Sequence, residues 1–179
     1  MTEICTPRVV LRPLRDSDAE RVHGYRADPE VARYQSWETQ SLDEVRAFIA
    51  EHGELNCDEA GWYQLAIAER SSDQLLGDIG VHVLESDVRQ VELGFTLAPG
   101  AQGQGYGAEA VRAMLGHLFG ERDKHRVIAS TDPRNARSIA LLRRVGFRLE
   151  AHHLDSLWFK GGWVDDMIFA LLRREWAPG

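Results

Sequence analysis

The run Glu92-Leu93-Gly94-Phe95-Thr96-Leu97-Ala98-Pro99-Gly100-Ala101-Gln102-Gly103-Gln104-Gly105-Tyr106-Gly107 reads as a strand, a turn built from glycines and the opening of a helix. Val91, Leu93, Phe95 and Leu97 alternate with polar or small residues, the period of a strand with one buried face. Beyond Pro99 the period changes, and Val111, Met114, Leu115, Leu118 and Phe119 recur at helical spacing up to Gly120. Glycines in such a turn let backbone N–H groups approach an anion closely, and a helix N-terminus adds about half a positive charge. Gln102 to Gly107 therefore reads either as a diphosphate cradle or as a purely structural turn. A Walker A loop is excluded, because no Gly-Lys-Ser/Thr follows. The dinucleotide fingerprint is met loosely by Gly103-x-Gly105-x-x-Ala108 with Asp132 as the ribose acid. However, Asp132 lies 29 residues after Gly103, where about 20 are usual, and several strands precede the motif.

Outward from this run the chain alternates elements. Residues 8–14 read as a first strand, and Asp16, Ser17 and Asp18 offer N-caps for a helix to about Ala27. Ser41 with Glu44 forms a capping-box pattern for a second helix ending near Gly53. Tyr63, Leu65, Ile67 and then Ile79, Val81, Val83 alternate as two strands that precede 91–97 in an antiparallel meander. Downstream come a strand at 125–131, a helix from Asn135 to Val145 stopped by Gly146, a strand at 147–154, a hairpin turn at Lys160-Gly161-Gly162-Trp163 and a last strand, Val164 to Leu172. The expected class is α/β, an α+β mixed sheet, in one domain spanning 1–179.

The formal charge of −7 argues against a nucleic-acid partner. Between Lys124 and Arg148, however, seven basic residues meet one acid, so this segment is +6 and the remainder −13. It reads either as a site for a small polyanion or as a solvated helix face. Apolar runs are short and the opening residues lack a signal-peptide pattern, so no membrane association is expected. Cys5 and Cys57 have neither disulfide nor zinc-ligand spacing, which fits a cytoplasmic location and no metal.

The run at 92–110 resembles the Gln/Arg-x-x-Gly-x-Gly/Ala motif of the GNAT superfamily of N-acetyltransferases, preceded by that fold's fourth strand. Asp132-Pro133-Arg134-Asn135-Ala136-Arg137-Ser138, continuing to Phe147, is similar to its second cofactor-contacting segment, and Arg8 to Leu14 to its first strand. Trp163-Val164-Asp165-Asp166 is similar to the last strand of its ribosomal-protein N-terminal acetyltransferase branch. The resemblance implies a mostly antiparallel central sheet splayed between the fourth and fifth strands, with helices on both faces, and acetyl-CoA as cosubstrate. Backbone groups near Phe95 and Leu97 would meet the pantetheine, and those of Gln102, Gly103, Gln104, Gly105, Tyr106 and Gly107 the pyrophosphate, with Asn135 and Ser138 as companions. The implied acceptor is a primary amine, either a protein N-terminus or a small polyamine-like molecule, the latter suited to the acidic remainder of the chain. A homodimer is one assembly the sequence leaves open. A nicotinamide oxidoreductase and a non-catalytic CoA-binding regulatory module are the rival functions.

Direct acyl transfer needs a neutral amine and a means of stabilising the leaving thiolate. Strand alternation puts Glu92, Gly94 and Thr96 on one face, with His82 and Gln64 opposite the apolar faces of their own strands. Glu92 reads as a base or as an exposed carboxylate; His82 reads more readily as structural. Ser138 shares a helical stripe with Leu141, Leu142 and Val145, so its hydroxyl either serves the leaving sulfur or bonds to its own helix. Many superfamily members carry a tyrosine acid where this chain has Leu142, which raises Ser138. Asn135 can equally be an N-cap. Trp37, Trp62, Trp158 and Trp163 are expected to pack in the core or on the hairpin in preference to lining an acceptor pocket.

Overall fold

The alternating and helical patterns resolve into thirteen elements in the computed structural model, which describes residues 3–38, 41–52 and 56–177. In chain order these are β1 (Ile4–Cys5), β2 (Val9–Pro13), α1 (Ala19–Arg26), α2 (Pro29–Ala32), α3 (Leu42–His52), β3 (Gly61–Glu69), β4 (Leu75–Val83), β5 (Gln90–Leu97), α4 (Tyr106–Gly116), β6 (Arg126–Thr131), α5 (Ala136–Val145), β7 (Arg148–Phe159) and β8 (Gly162–Leu172). One mixed sheet runs β1-β2-β3-β4-β5-β6-β8-β7, and β5 with β6 is its parallel pair. A parallel neighbour requires a crossover, and α4 supplies it.

Period-two alternation sends Leu11, Leu65, Ile67, Ile79, Val81 and Leu93 to one face, against Val111, Met114 and Leu115 of α4 and Leu142 of α5. The opposite face carries α1 and α3, whose Ala19, Val22, Val45 and Ile49 cover Ala66 and Leu75. The sheet thus has helices on both faces, as expected.

The parting of β5 from β6 positions the site. Their pairing covers Gln90 with Arg126, Val91 with Val127 and Glu92 with Ile128. Beyond that point β5 stays with β4 as far as Leu97 opposite Gly77, while β6 follows β8 to Thr131 opposite Met167. The short β1 shifts the strand count, so the splay expected between the fourth and fifth strands falls between β5 and β6.

Local signals mostly act where the sequence places them. Ser41 and Glu44 close their capping box, with Ser41 N–H donating to Glu44 Oε2 at 2.6 Å and Glu44 N–H to Ser41 Oγ at 3.3 Å. That helix is described as far as His52; Gly53, the expected stop, lies outside the described residues. The Lys160-Gly161 turn has φ of 47° and 87°, both positive as a two-residue type I′ hairpin requires. Three details differ from expectation. Asp16 to Asp18 form a 3₁₀ turn before α1. The short α2 is added, capped by Asp28, which accepts from Glu30 N–H at 2.9 Å with Pro29 as first helical residue. The helix through Phe119 ends its α-helical part at Gly116 and continues as a π-helical turn over His117–Glu121. Lys124, 3% exposed, donates its ammonium to the Cys57 carbonyl and, at 2.7 Å, to that of Val88, tying two loops to the start of β6.

Candidate active site

The glycine loop occupies the open end of the splay. Gly103 and Gly105 have φ of 76° and 85°, the left-handed region that side chains with a Cβ adopt only at a cost. Among the described residues, the N–H groups of Gly103, Gln104 and Gly105 donate to no protein acceptor. The first helical bond of α4 runs from Glu109 N–H to Gly105 O at 3.1 Å, so the N–H groups of Tyr106, Gly107 and Ala108 precede the helical ladder. The result is a row of outward donors at a helix N-terminus, which suits a diphosphate. Gly107 serves packing as well: a Cβ there would lie 2.9 Å from Leu141 Cδ1 and 3.2 Å from Leu97 Cδ1, so its absence lets α4 close on α5 and β5. The glutamine side chains brace the loop. Gln102 Nε2 donates to Leu97 O at 3.0 Å and Gln104 Nε2 to Gly100 O at 2.7 Å. The Leu97 carbonyl, expected to face pantetheine, therefore has one lone pair already engaged. Phe95 lies on the stretch of β5 that has no β6 partner.

Glu92 lies at the apex, in the last pair before the strands part. Across the sheet Trp62 pairs with His82, His82 with Glu92 and Glu92 with Ile128, which places Trp62, His82 and Glu92 in one row. The Trp62 and His82 rings stack at 3.9 Å with an interplanar angle of 9°. His82 Nδ1 is buried, has no hydrogen-bond partner among the described residues and sits 3.6 Å from Glu92 Oε2. Gln64 lies on the same face, as expected, and donates to Asp78 Oδ1 at 2.6 Å. Asp78, 1% exposed, also accepts from the Tyr25 hydroxyl and, at 3.5 Å, from Arg26 Nη2. Burial, then the charge of Asp78, push the Tyr25 phenol well above its ordinary range, so it remains a donor and ties α1 to β4 beside the site.

At the other lip of the splay, Asn135 caps α5 by accepting from Ser138 N–H at 3.1 Å. The capping reading of Asn135 is thus observed. The Ser138 hydroxyl, half-buried, makes no hydrogen bond among the described residues, including none to its own helix.

The chain from residue 8 to 148 matches the acetyltransferase (GNAT) domain family. The chain belongs to the GNAT acetyltransferase family. An uncharacterized N-acetyltransferase, p20 of Bacillus licheniformis, is 28% identical over 99% of both chains. The [ribosomal protein uS5]-alanine N-acetyltransferase of Escherichia coli is 26% identical over 98% of this chain and 93% of its own. A crystal structure of a GNAT-family acetyltransferase from Bacillus anthracis superposes with a TM-score of 0.88 at 24% identity, covering 97% of this chain and all of that one. The protein is accordingly an acetyl-CoA-dependent N-acetyltransferase, and the nicotinamide reading of the glycine loop has no support.

Within this GNAT domain, several contributors to the site were invisible in sequence. Arg8, at the approach to β2, donates to Gln104 O at 3.0 Å, pairs with Glu109 at 2.6 Å and lies 4.8 Å from the Tyr106 ring centroid, bracing the cradle from below. Glu109 also accepts from Thr6 Oγ1 at 2.6 Å. Arg137 Nη1 donates to Gln102 Oε1 at 2.6 Å, which links α5 to the loop. The basic segment is not one continuous phosphate patch. Lys124 is buried, Arg126 and Arg148 pair with Glu150, and Arg134 is bidentate to Asp132, whose carboxyl it holds below the ordinary range. Of the tryptophans, Trp37 packs beneath Arg26, and Trp158 with Trp163 make an edge contact at 5.4 Å on the hairpin. Trp62 departs from the expected core packing and is 55% exposed above His82.

Proposed function

We propose that the chain, as one catalytic domain, acetylates a protein N-terminal amine by direct attack, with Glu92 and His82 receiving the amine proton and Ser138 donating to the departing sulfur. The observation that carries this reading is the position of Glu92 at the apex of the β5–β6 splay, at the end opposite the glycine loop. Leu97 lies five strand steps from Glu92, about 17 Å at roughly 3.4 Å each, a span suited to an extended pantetheine arm. Acetyl-CoA supplies the activated thioester. The outward N–H groups of Gly103 to Gly105 and the N-terminus of α4 fit its pyrophosphate. Glu92, 3.6 Å from the unpartnered Nδ1 of His82, forms with it a two-site proton acceptor on the open face of the sheet. The free hydroxyl of Ser138 supports its role as a donor as charge develops on sulfur.

An α-amine titrates near pH 7.7–8.0 and is substantially neutral at pH 7.4, whereas a lysine-type amine near 10.4 costs about 4 kcal/mol to deprotonate. A carboxylate base suffices for the former. The E. coli relative, an N-acetyltransferase for an alanine of a ribosomal protein, favours the same class of acceptor. Direct transfer needs no metal, and the free Cys5 and Cys57 suit the reducing cytoplasm. The test is a panel of peptides and small amines in which CoA release is followed with acetyl-CoA. Amine-dependent release that falls in Glu92→Gln supports the proposal. CoA binding without release to any amine would leave the regulatory-module reading.

A further inference from the structure

Beside the cofactor splay lies an open cleft of about 410 Å³ bounded by Arg33, Arg134, Lys160 and Trp163. Three separate segments build it: the end of α2, the turn between β6 and α5, and the β7–β8 hairpin tip. Two hydrogen bonds hold them together. Lys160 Nζ donates to Ala32 O at 2.6 Å, closing the hairpin on α2, and the Tyr34 hydroxyl donates to Arg134 O at 3.3 Å, closing α2 on the turn. That turn ends at Asn135, the cap of α5, and Ser138 lies in the first turn of that helix, so the cleft adjoins the segment that carries the proposed donor to sulfur.

The charge of this cleft opposes that of the whole molecule. Arg134 is neutralised by its bidentate pair with Asp132, but Arg33 makes no ion pair among the described residues and Lys160 donates only to a neutral carbonyl. On the hairpin, Asp165 keeps its charge and is held by His152 Nε2 at 2.8 Å and by the Asp155 N–H, which donates to it at 3.0 Å. Arg33 and Lys160 therefore stand without an ion pair among the described residues, beside the exposed indole of Trp163. Three cations and no acid line the cleft, which disfavours a polycation there even though the chain as a whole is acidic, because close charges outweigh distant, screened ones.

We propose that this cleft is an acceptor subsite for carboxylate, selecting amines that carry acidic groups within the next residues, such as an acidic peptide N-terminus, and rejecting polyamines. The inference rests on the peptide-amine reading above and adds the chemistry that follows the reactive amine. Arg33 and Lys160 act here as specificity residues that touch the acceptor, remote from proton transfer.

The experiment compares Ala-Asp-Glu-Phe, Ala-Asn-Gln-Phe, Ala-Lys-Arg-Phe and spermidine as acceptors by CoA release, in wild type, Arg33→Gln and Lys160→Gln. The acidic peptide should exceed its amide counterpart by about tenfold in kcat/KM, the size of one good charge-assisted contact. The difference should lie mainly in KM, shrink with added salt and collapse in both variants. In parallel, binding of the N-acetylated acidic peptide is measured by calorimetry, which does not depend on turnover. If the acetylated acidic peptide binds and Arg33→Gln abolishes that binding, the cleft stands even where no amine releases CoA, and only the transfer mechanism fails. Preference for spermidine or the basic peptide, or acidic-peptide binding unchanged in both variants, overturns the proposal.

Discussion

Replacing Gly103 by alanine separates the two roles open to the glycine loop. Gly103 has φ of 76°, and a Cβ placed on it meets no atom within 4 Å. The fold itself therefore feels only the backbone penalty of a left-handed residue with a Cβ, about 1–2 kcal/mol. For a chain of this length that lowers Tm by about 2–8 °C, at roughly 2–4 °C per kcal/mol. If the loop cradles the pyrophosphate, the same methyl also intrudes where its N–H groups receive the ligand. Acetyl-CoA affinity then falls by at least about tenfold, or 1.4 kcal/mol. Gly100→Ala is the control, since that position is equally open and its φ is not left-handed; neither Tm nor affinity should move appreciably. Thermal melts report the first quantity and isothermal calorimetry the second. A Gly103→Ala protein with lowered Tm and unchanged acetyl-CoA affinity would refute the cradle and return the loop to a structural turn.

Glu92→Gln keeps size and hydrogen-bonding capacity but removes basicity, so its deficit should be greatest at low pH and vanish as rising pH deprotonates the amine unaided. A pH–rate profile parallel to wild type at every pH would assign Glu92 to positioning alone. Ser138→Ala should lower kcat by about tenfold or more with little change in acetyl-CoA Kd, as expected of a donor acting while charge develops; wild-type turnover would remove Ser138 from the chemistry. Leu142→Ala, at a fully buried position of α5, should destabilise by about 2–5 kcal/mol in chemical denaturation; a loss under 1 kcal/mol would mean the site collapses around the gap.

What the sequence disclosed was governed by local periodicity. Strand alternation assigned Glu92, His82 and Gln64 to their faces because side chains reverse at each residue, and helical spacing placed Ser138 beside Leu142. Asn135, legible as a cap candidate, is one. Register was not legible. That His82 lies opposite Glu92 and under Trp62 depends on how three distant strands align, and this alignment turns a weak histidine candidate into a neighbour of the apex carboxylate. The brace of the loop was equally hidden, since Arg8 and Glu109 are 101 residues apart and Arg137 and Gln102 are 35. The α2 turn did carry a signal, Asp28 before Pro29, but four residues are too few for a periodic pattern. A sum of charges has no location, so the sharing of one cleft by Arg33 and Lys160 was not legible either.

The burial of Lys124 bears on how this protein withstands its own cosubstrate. Acetyl thioesters acylate free lysine amines without any enzyme, and a protein that concentrates such a reagent at its surface exposes its own lysines to it. Guanidinium groups stay protonated and are poor nucleophiles at neutral pH. The chain has two lysines, Lys124 and Lys160, among its 21 basic side chains. The first is sealed, with its ammonium held between the Cys57 and Val88 carbonyls, and cannot present a lone pair without unfolding around it. The tie between those loops and β6 is therefore shielded from slow chemical ageing, and of the two lysines only Lys160 stays open to adventitious acetylation in the folded protein.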